Sequence, residues 1–369
     1  MRKSVIGLVT GGMAVALVLT GCSSDKNSSS SGSSASGSTA SVKGKVGVIL
    51  PDTQSSARWE SFDKPLLTKA FATAGVSADI QNALGDKSKM ITIAQSMITE
   101  GVSVLAIVNL DSTTGSQIQA TAKAAGVKTI DYDRLTLGGS ADYYVSFDNV
   151  KVGELQGQGL VDCLKAKNVT KAKVIELNGS PTDNNATLFA QGYNSVLDPL
   201  YASGTLVKAG NQSVPNWDNA QAGTIFEQLL TAAGGKVDGV LAANDGLGNA
   251  AITVLKKNHL QVPVTGQDAT VQGLQNILAG DQCMTVYKPI ADEANALAAL
   301  SISLLKGETG KTTGTVHDAT GNRDVPSVLL TPVAVNIANV SKPVSDGFVK
   351  ASELCTAAYA AACTKAGIS

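Results

Sequence analysis

Short apolar runs rich in Val and Ile alternate along this chain with Ala-rich segments of helical length. KVGVIL, beginning at Lys45, is followed by FDKPLLTKAFATAG, SADIQ, MITIAQSMITEG, VSVLAIV, TGSQIQATAKAAG, VKTIDY and YYVSF, which ends at Phe147. Strand-like runs separated by helix-length runs predict βαβ units around a parallel sheet. A second series starts at Val150 and repeats the plan: KVGELQGQGLVDCLKAK, KVIELNG, NATLFAQGYNSVLDPLYASG, LVKAGNQ, NAQAGTIFEQLLTAAGG, VDGVLAAND, NAAITVLKKNHL and PVTGQ. A helix-like IADEANALAALSISLLKG and an extended VPSVLLTPVAVN then read as the chain passing between lobes again. The pattern predicts an α/β protein with two doubly wound lobes, 43–147 plus about 290–327 and 148–289 plus about 328–341, joined by a hinge of crossing segments. A tail, 342–369, has no assigned role.

The first residues follow a different logic. Arg2 and Lys3 precede an uncharged, largely apolar run ending in Leu19-Thr20-Gly21-Cys22. A basic flank, an apolar core and small residues before a cysteine form a secretory signal, and the end of the run resembles a bacterial lipobox with Cys22 as the lipidated terminus. The Ser- and Gly-rich stretch 23–42 is too polar to bury anything and reads as a flexible tether, with an r.m.s. span of roughly 25 Å. The expected location is therefore extracytoplasmic, lipid-anchored to the outer face of the bacterial cell membrane. The residues after Lys43, roughly 325 of them, exceed what a single core usually holds, which favours two lobes. No second long apolar run follows to span a bilayer.

Charge and cysteine content narrow the chemistry. With 29 basic and 30 acidic residues, the chain lacks the electrostatic footprint of a nucleic-acid or anionic-membrane binder, so neutral partners become the expectation. Cys163, Cys283, Cys355 and Cys363 are compatible with disulfides in an exported protein, and four cysteines allow three complete pairings. If ASELCTAAYAAACTK is one continuous helix, Cys355 and Cys363 lie about 12 Å apart along its axis and cannot join.

In an open α/β sheet, ligands sit beyond the carboxyl ends of the strands. Here GVILPDTQSSARW, TIDYDR, VIELNGSPTDNN, GVLAAND, VTGQD and MTVYK each leave a strand-like run for charged or amide residues. Helix capping alone accounts for a single Asp or Asn at such a place. It does not account for Arg58, Arg134 and Lys288. Carboxylates and amides together with cations suit a polyol, whose hydroxyls both donate and accept. Trp59 and Trp217 stand in polar loop segments, where an apolar ring outside the core pattern suits the C–H face of a sugar.

Other chemistries are weaker. Asp133 and Asp268 suggest the paired acids of a glycosidase, yet the candidate acids have Arg, Lys or Asn beside them, which would hold them ionised and deny a raised pKa. His259 and His317 have no partner spacing for zinc and read as solvated loop residues. No GxSxG elbow, CxxC pair or Walker phosphate loop occurs. The glycines of GELQGQG have the wrong spacing for a dinucleotide fingerprint, and Gly153 and Gly157 read as sites of close helix packing. The reading is a binding protein, not an enzyme, with no cofactor and no metal.

ARW, YDR, SFDNVKVGELQ, GSPTDNNA, AAND, GQDA and MTVYKPI, in this order, resemble the D-xylose-binding proteins of bacterial ABC transporters over roughly Val46 to Asn336. The resemblance implies a periplasmic-binding-protein type I fold, two Rossmann-like lobes joined by three crossing segments and closing over one pentose. Carried over position by position, it implies sugar contacts from Arg58, Trp59, Asp133, Arg134, Asp183, Asn185, Trp217, Asn244, Asp268 and Lys288, with Asn184 and Asp245 adjacent. The implied partners are a monosaccharide, D-xylose or a similar pentose or hexose, and an ABC permease with its ATPase. A sensory alternative stays open, in which the closed form docks on a membrane histidine kinase or chemoreceptor. The chain departs from the family pattern at PDTQSS, at Asp131, where a small apolar residue is typical, and just after Asn244. The tail beyond about Lys342 has no counterpart.

Overall fold

The computed structural model describes residues 43–368. The signal run, Cys22 and the stretch 23–42 lie outside the described residues. The first series of elements is β1 (Lys45–Leu50), α1 (Lys64–Thr73), β2 (Ser77–Asn82), α2 (Lys87–Thr99), β3 (Val104–Ile107), α3 (Ser112–Ala124), β4 (Lys128–Tyr132) and β5 (Tyr143–Phe147). The second is α4 (Asn149–Ala166), β6 (Ala172–Asn178), α5 (Asn184–Ala202), β7 (Leu206–Ser213), α6 (Asn219–Ala232), β8 (Gly239–Ala242), α7 (Asp245–Lys257), α8 (Val271–Ala279) and β9 (Met284–Tyr287). Then come α9 (Ile290–Leu305), β10 (Gly314–Asp318), β11 (Arg323–Leu330) and β12 (Val333–Asn336), and last the short helices α10 (Lys342–Ser345), α11 (Ala351–Leu354) and α12 (Ala360–Lys365).

The first sheet has the order β10-β11-β5-β4-β3-β1-β2. It is parallel except for β10, which pairs antiparallel with β11. Its central strands are almost wholly buried because helices cover both faces. Alternation along β1 shows this directly. Val46, Val48 and Leu50 join Leu67, Phe71 and Leu297 of α1 and α9, whereas Ile49 joins Met90, Ile93 and Ile118 of α2 and α3.

The second lobe is built around β7-β6-β8 and the antiparallel pair β12-β9. PVTGQ, expected as a strand, contributes a bridge from Val264 to Val240 and a bond from Val286 N to Gly266 O, which links the two sheets. The crossings follow β5, β9 and β11. β11 pairs with β5 through Leu330.

Gly153 and Gly157 serve packing: a Cβ at Gly153 would collide with the Phe189 carbonyl, and one at Gly192 with that of Val150, so α4 and α5 approach backbone to backbone. The sequence pattern missed α8, although it carries both end signals. Thr270 Oγ1 accepts from Gly273 N, and Gly280 closes the helix at φ 78°. His317 lies on β10, not in a loop; it is exposed, with Nδ1 2.9 Å from Asp324 Oδ1.

Cys163 pairs with Cys283 (Cα–Cα 6.5 Å) and Cys355 with Cys363 (5.8 Å). The second pair overturns the continuous-helix premise. ASELCTAAYAAACTK breaks into α11 and α12, and the turn between them brings the two cysteines within bonding reach. The tail folds onto the second lobe, where Val349, Leu354, Cys363 and Ile368 share a core with Leu274, Ile277, Tyr287 and Val335.

Candidate functional site

On the first lobe the site grows from a buried ion cluster. Arg58 directly precedes a π-helical turn, Trp59–Asp63, a form of helix that recurs at functional sites. Its Nε and Nη2 donate to Asp63 at 2.8 and 2.7 Å, Nη1 to Asp133 Oδ2 at 2.6 Å, and Nη2 to Glu293 Oε2 of α9 at 2.6 Å. Tyr132 OH donates to Asp63 Oδ1 at 2.8 Å. One guanidinium thus faces three carboxylates in a dry setting. Burial, only partly opposed by Arg58, pushes Glu293 up to about 8 and also raises Asp63. Burial acts the same way on Asp133, but Arg58, Lys288 and Arg134 outweigh it and hold that carboxyl below its ordinary range.

Asp133 follows β4 in the left-handed region at φ 61°, within a tight turn closed by Arg134 N donating to Tyr132 O at 2.7 Å. A non-glycine residue held there is strained, and its surroundings must enforce it. Tyr144 OH, Ser146 Oγ and Asn185 Nδ2 all donate to its carbonyl, at 3.0, 2.8 and 3.0 Å. Asp268 (φ 97°) and Trp217 (φ 57°) share this strain.

On the second lobe two of the polar groups, Asp183 and Asn244, are helix caps. Asp183 caps α5: Oδ1 accepts from Asn185 N at 2.9 Å, while Oδ2 accepts from Trp217 Nε1 at 3.1 Å and lies 3.0 Å from Arg134 Nε. Asn244 caps α7, with Oδ1 accepting from Leu247 N at 2.9 Å and Nδ2 donating across the cleft to Ser55 O at 3.2 Å. Capping and site chemistry are therefore two ends of one side chain. Asn185 Nδ2 also donates to Asp133 Oδ1 at 3.0 Å, and Ser56 Oγ donates to Asp268 Oδ2 at 2.8 Å. Lys288, just past β9, stands 3.4 Å from Asp268 Oδ1 and 3.7 Å from Asp133 Oδ2. The expectation that a neighbouring cation prevents a raised pKa holds for Asp133 but not for Asp183, which burial raises despite Arg134.

Asp245 supports the site from behind. It accepts from Thr270 N and Oγ1, Gln282 Nε2 and Thr285 Oγ1 at 2.8, 3.1, 2.8 and 2.8 Å, fixing the loop that carries Asp268. Burial pushes its carboxyl up to about 7. Asn184 is half-buried at the start of α5 and does not line the cavity. Asp131 also lies away from the cavity, accepting from Gln119 Nε2, Thr136 N and Thr136 Oγ1, with burial pushing it to about 7.

Both tryptophans are buried. Trp59 donates from Nε1 to Ser55 Oγ at 3.0 Å, with Arg58 and Arg134 4.4 and 5.4 Å from its ring centroid. Trp217 packs against Gly179, where any Cβ would collide with the ring, and meets Phe189 edge-on at 6.4 Å.

Arg58, Trp59, Asp133, Arg134, Asp183, Asn185, Trp217, Asn244, Asp268 and Lys288 all line one cavity of about 30 Å³. Sequence reasoning missed Ser55, Ser56, Phe189 and Gln267, which line it too. Gln267 was findable as the amide before Asp268 at a strand end; the serines and Phe189 carried no distinguishing signal. The cavity adjoins two wider clefts, one of about 960 Å³ sharing Ser55, Ser56, Asn244 and Asp268, the other of about 230 Å³ sharing Ser55, Arg134, Asp183 and Trp217. Among its buried side-chain atoms, Gln267 Oε1 makes no hydrogen bond, while Arg134 Nε and Asp268 Oδ1 meet only the ion pairs with Asp183 and Lys288. An unmatched buried acceptor beside two buried ion pairs leaves hydrogen-bonding capacity at the cavity, and leaving such an atom unpaired is costly.

A family model described as "Periplasmic binding protein domain" matches residues 46–309. The chain belongs to this family of periplasmic binding proteins. Its fold is the type I form, two Rossmann-like lobes around a cleft. Among periplasmic relatives, the D-xylose-binding periplasmic protein of Escherichia coli is 39% identical over 84% of this chain and 92% of its own length. The multiple sugar-binding periplasmic receptor of Rhizobium radiobacter is 39% identical over 85% of this chain and 93% of its own. An ABC transporter solute-binding protein from Clostridium phytofermentans, solved with bound β-D-glucose, superposes with a TM-score of 0.79 at 28% identity, covering 84% of this chain and 99% of that one. A carbohydrate transporter solute-binding protein from Chloroflexus aurantiacus, solved with D-glucose, gives 0.77 at 31% identity over 84% and 98%.

Proposed function

We propose that this periplasmic binding protein is the extracytoplasmic receptor of an ABC sugar importer, capturing one neutral monosaccharide, D-xylose first, between its lobes. The observation that carries this reading is the ring of acceptors, donors and aromatic faces, drawn from both lobes, around one cavity where Gln267 Oε1 has no hydrogen-bond partner. Hydroxyls suit that mixture because each can donate to a carboxylate and accept from Arg, Lys or an amide. Net charge on the ligand would be poorly received in a cluster this closely balanced. The names of two relatives, a D-xylose-binding periplasmic protein and a multiple sugar-binding periplasmic receptor, support the same substrate class.

In the observed arrangement the lobes pair directly, Asn185 with Asp133, Ser56 with Asp268 and Asn244 with Ser55. A sugar enters when the lobes part, and its hydroxyls take over these pairings on closure, so only the closed form contacts it from both sides. Charge-assisted bonds contribute about 1.5 to 3 kcal/mol each, and micromolar affinity needs about 8 kcal/mol net. Five or six such bonds suffice after desolvation and closure. Cys22 is the proposed lipid anchor, which would keep the receptor at the membrane that holds the permease. Cys22→Ala should shift the protein from the membrane fraction to the medium.

Calorimetry of the mature protein with a panel of pentoses and hexoses tests the reading, the expected result being saturable heat with D-xylose or a close relative. Heat with none of them would end it. Asp268→Ala should lower affinity for the binding sugar at least tenfold without unfolding the protein, and unchanged affinity would show that the residue assignment is wrong.

A further inference from the structure

We infer that Phe348, in the tail beyond the family match, is a positioning residue for closure: it is held by the second lobe and stacks on the first. Its ring lies on that of Phe62 with centroids 4.2 Å apart and planes at 21°, and 5.0 Å from that of Tyr287. Phe62 belongs to the π-helical turn of the first lobe, next to Asp63, which grips Arg58 through two hydrogen bonds. Tyr287 ends β9 of the second lobe, immediately before Lys288.

The tail that presents Phe348 is anchored on one side only. Val349, Leu354, Cys363 and Ile368 are buried with the second lobe's Leu274 and Ile277. Gln275 Nε2 donates to Leu354 O at 3.2 Å, and the Cys355–Cys363 bond ties α11 to α12. The ring is thus a fixed extension of the second lobe reaching the first beside the wide cleft that leads to Ser56 and Asp268.

The joint differs in kind from the contacts at the cavity. Those are polar pairings that a sugar must exchange on binding. The Phe62–Phe348 stack is apolar and lines the wide cleft, not the cavity, so a sugar offers no group to exchange for it once the lobes are closed. Apolar burial and aromatic stacking therefore favour the closed form with or without ligand. Because apparent affinity scales with the fraction of competent closed form, the joint tunes affinity and residence time without contacting the sugar. This rests on the sugar-receptor reading above.

The test uses the full mature chain with Phe62→Ala, Phe348→Ala and the double variant, and Phe348→Tyr as the conservative control. Sugar dissociation is followed by stopped-flow tryptophan fluorescence, and thermal unfolding confirms that each variant is folded. Either alanine should speed dissociation about tenfold, the double should be no faster than the singles, and tyrosine should restore the native rate. Rates within twofold of the native protein, or single effects that multiply in the double, would overturn the joint. Phe348→Leu replaces Phe348→Ala if the latter does not fold. If the native protein binds no sugar in the panel, the receptor reading fails separately. Small-angle scattering of the sugar-free variants then decides, expansion of both alanine variants supporting the joint and unchanged dimensions refuting it.

Discussion

The two walls of the cavity come from lobes of similar plan, yet they orient their polar groups by different physics. The first lobe uses charge: Arg58 is clamped by Asp63, Asp133 and Glu293, and Asp133 is forced into a strained turn by donors on β5 and α5. The second uses helix ends, where Asp183 and Asn244 spend one atom on capping and present the other to the site. The first arrangement is rigid but depends on every partner. A helix cap is local and tolerates change elsewhere. The difference teaches that a carboxylate at a strand end is not either a cap or a ligand group; on the second lobe the cap is what aims it.

The largest expected effect breaks the charged wall. Arg58→Ala leaves three buried carboxylates without their guanidinium, which should cost about 3–5 kcal/mol of stability, read by urea unfolding, and abolish sugar binding in calorimetry. A loss under about 1 kcal/mol would mean that the cluster is not a unit. The capped wall can be taken apart more gently. Asp183→Asn keeps a good cap but loses the ion pair with Arg134, whereas Asp183→Ala loses both. Both should lower sugar affinity at least tenfold, and only the alanine variant should also lose about 1 kcal/mol of stability. Equal stability in the two would show that the cap does not matter here.

The smallest effect concerns buried carboxyls outside the cavity. Asp131 has a folded value of about 7 against an ordinary value near 3.8. The native state therefore holds a proton that the unfolded chain has released, so stability falls as pH rises between those values. The contribution is complete below the unfolded value and lost as pH passes about 7. Melting temperature should decline from pH 5 to 8, and Asp131→Asn should flatten that slope by a few degrees at most. An unchanged slope would sink the assignment.

Legibility followed the same division. Helix caps, strand ends and apolar alternation are short-range patterns, so the βαβ order and the strand-end positions of Asp183, Asn244 and Asp268 could be read from the chain. The partners of Arg58 could not, because Asp63, Asp133 and Glu293 are far apart in sequence except for the first, and nothing local about Glu293 in a helical segment marks it as buried. Ser55, Ser56 and Phe189 look like ordinary loop and helix residues until closure sets them beside the cavity. The Cys355–Cys363 bond was misjudged because Ala-rich composition suggested a helix, and the crosslink and tail packing override that propensity.

The sequence alone determined the alternation of buried strands and amphipathic helices, and with it a two-lobed α/β body whose polar groups collect where strands end, because periodicity and capping act over a few residues. Tertiary structure decided which of those groups face one another, which carboxyls burial leaves protonated, and where the tail rests. Those outcomes depend on distances between residues far apart in the chain, and desolvation and ion pairing respond to distance in space, not to separation in sequence.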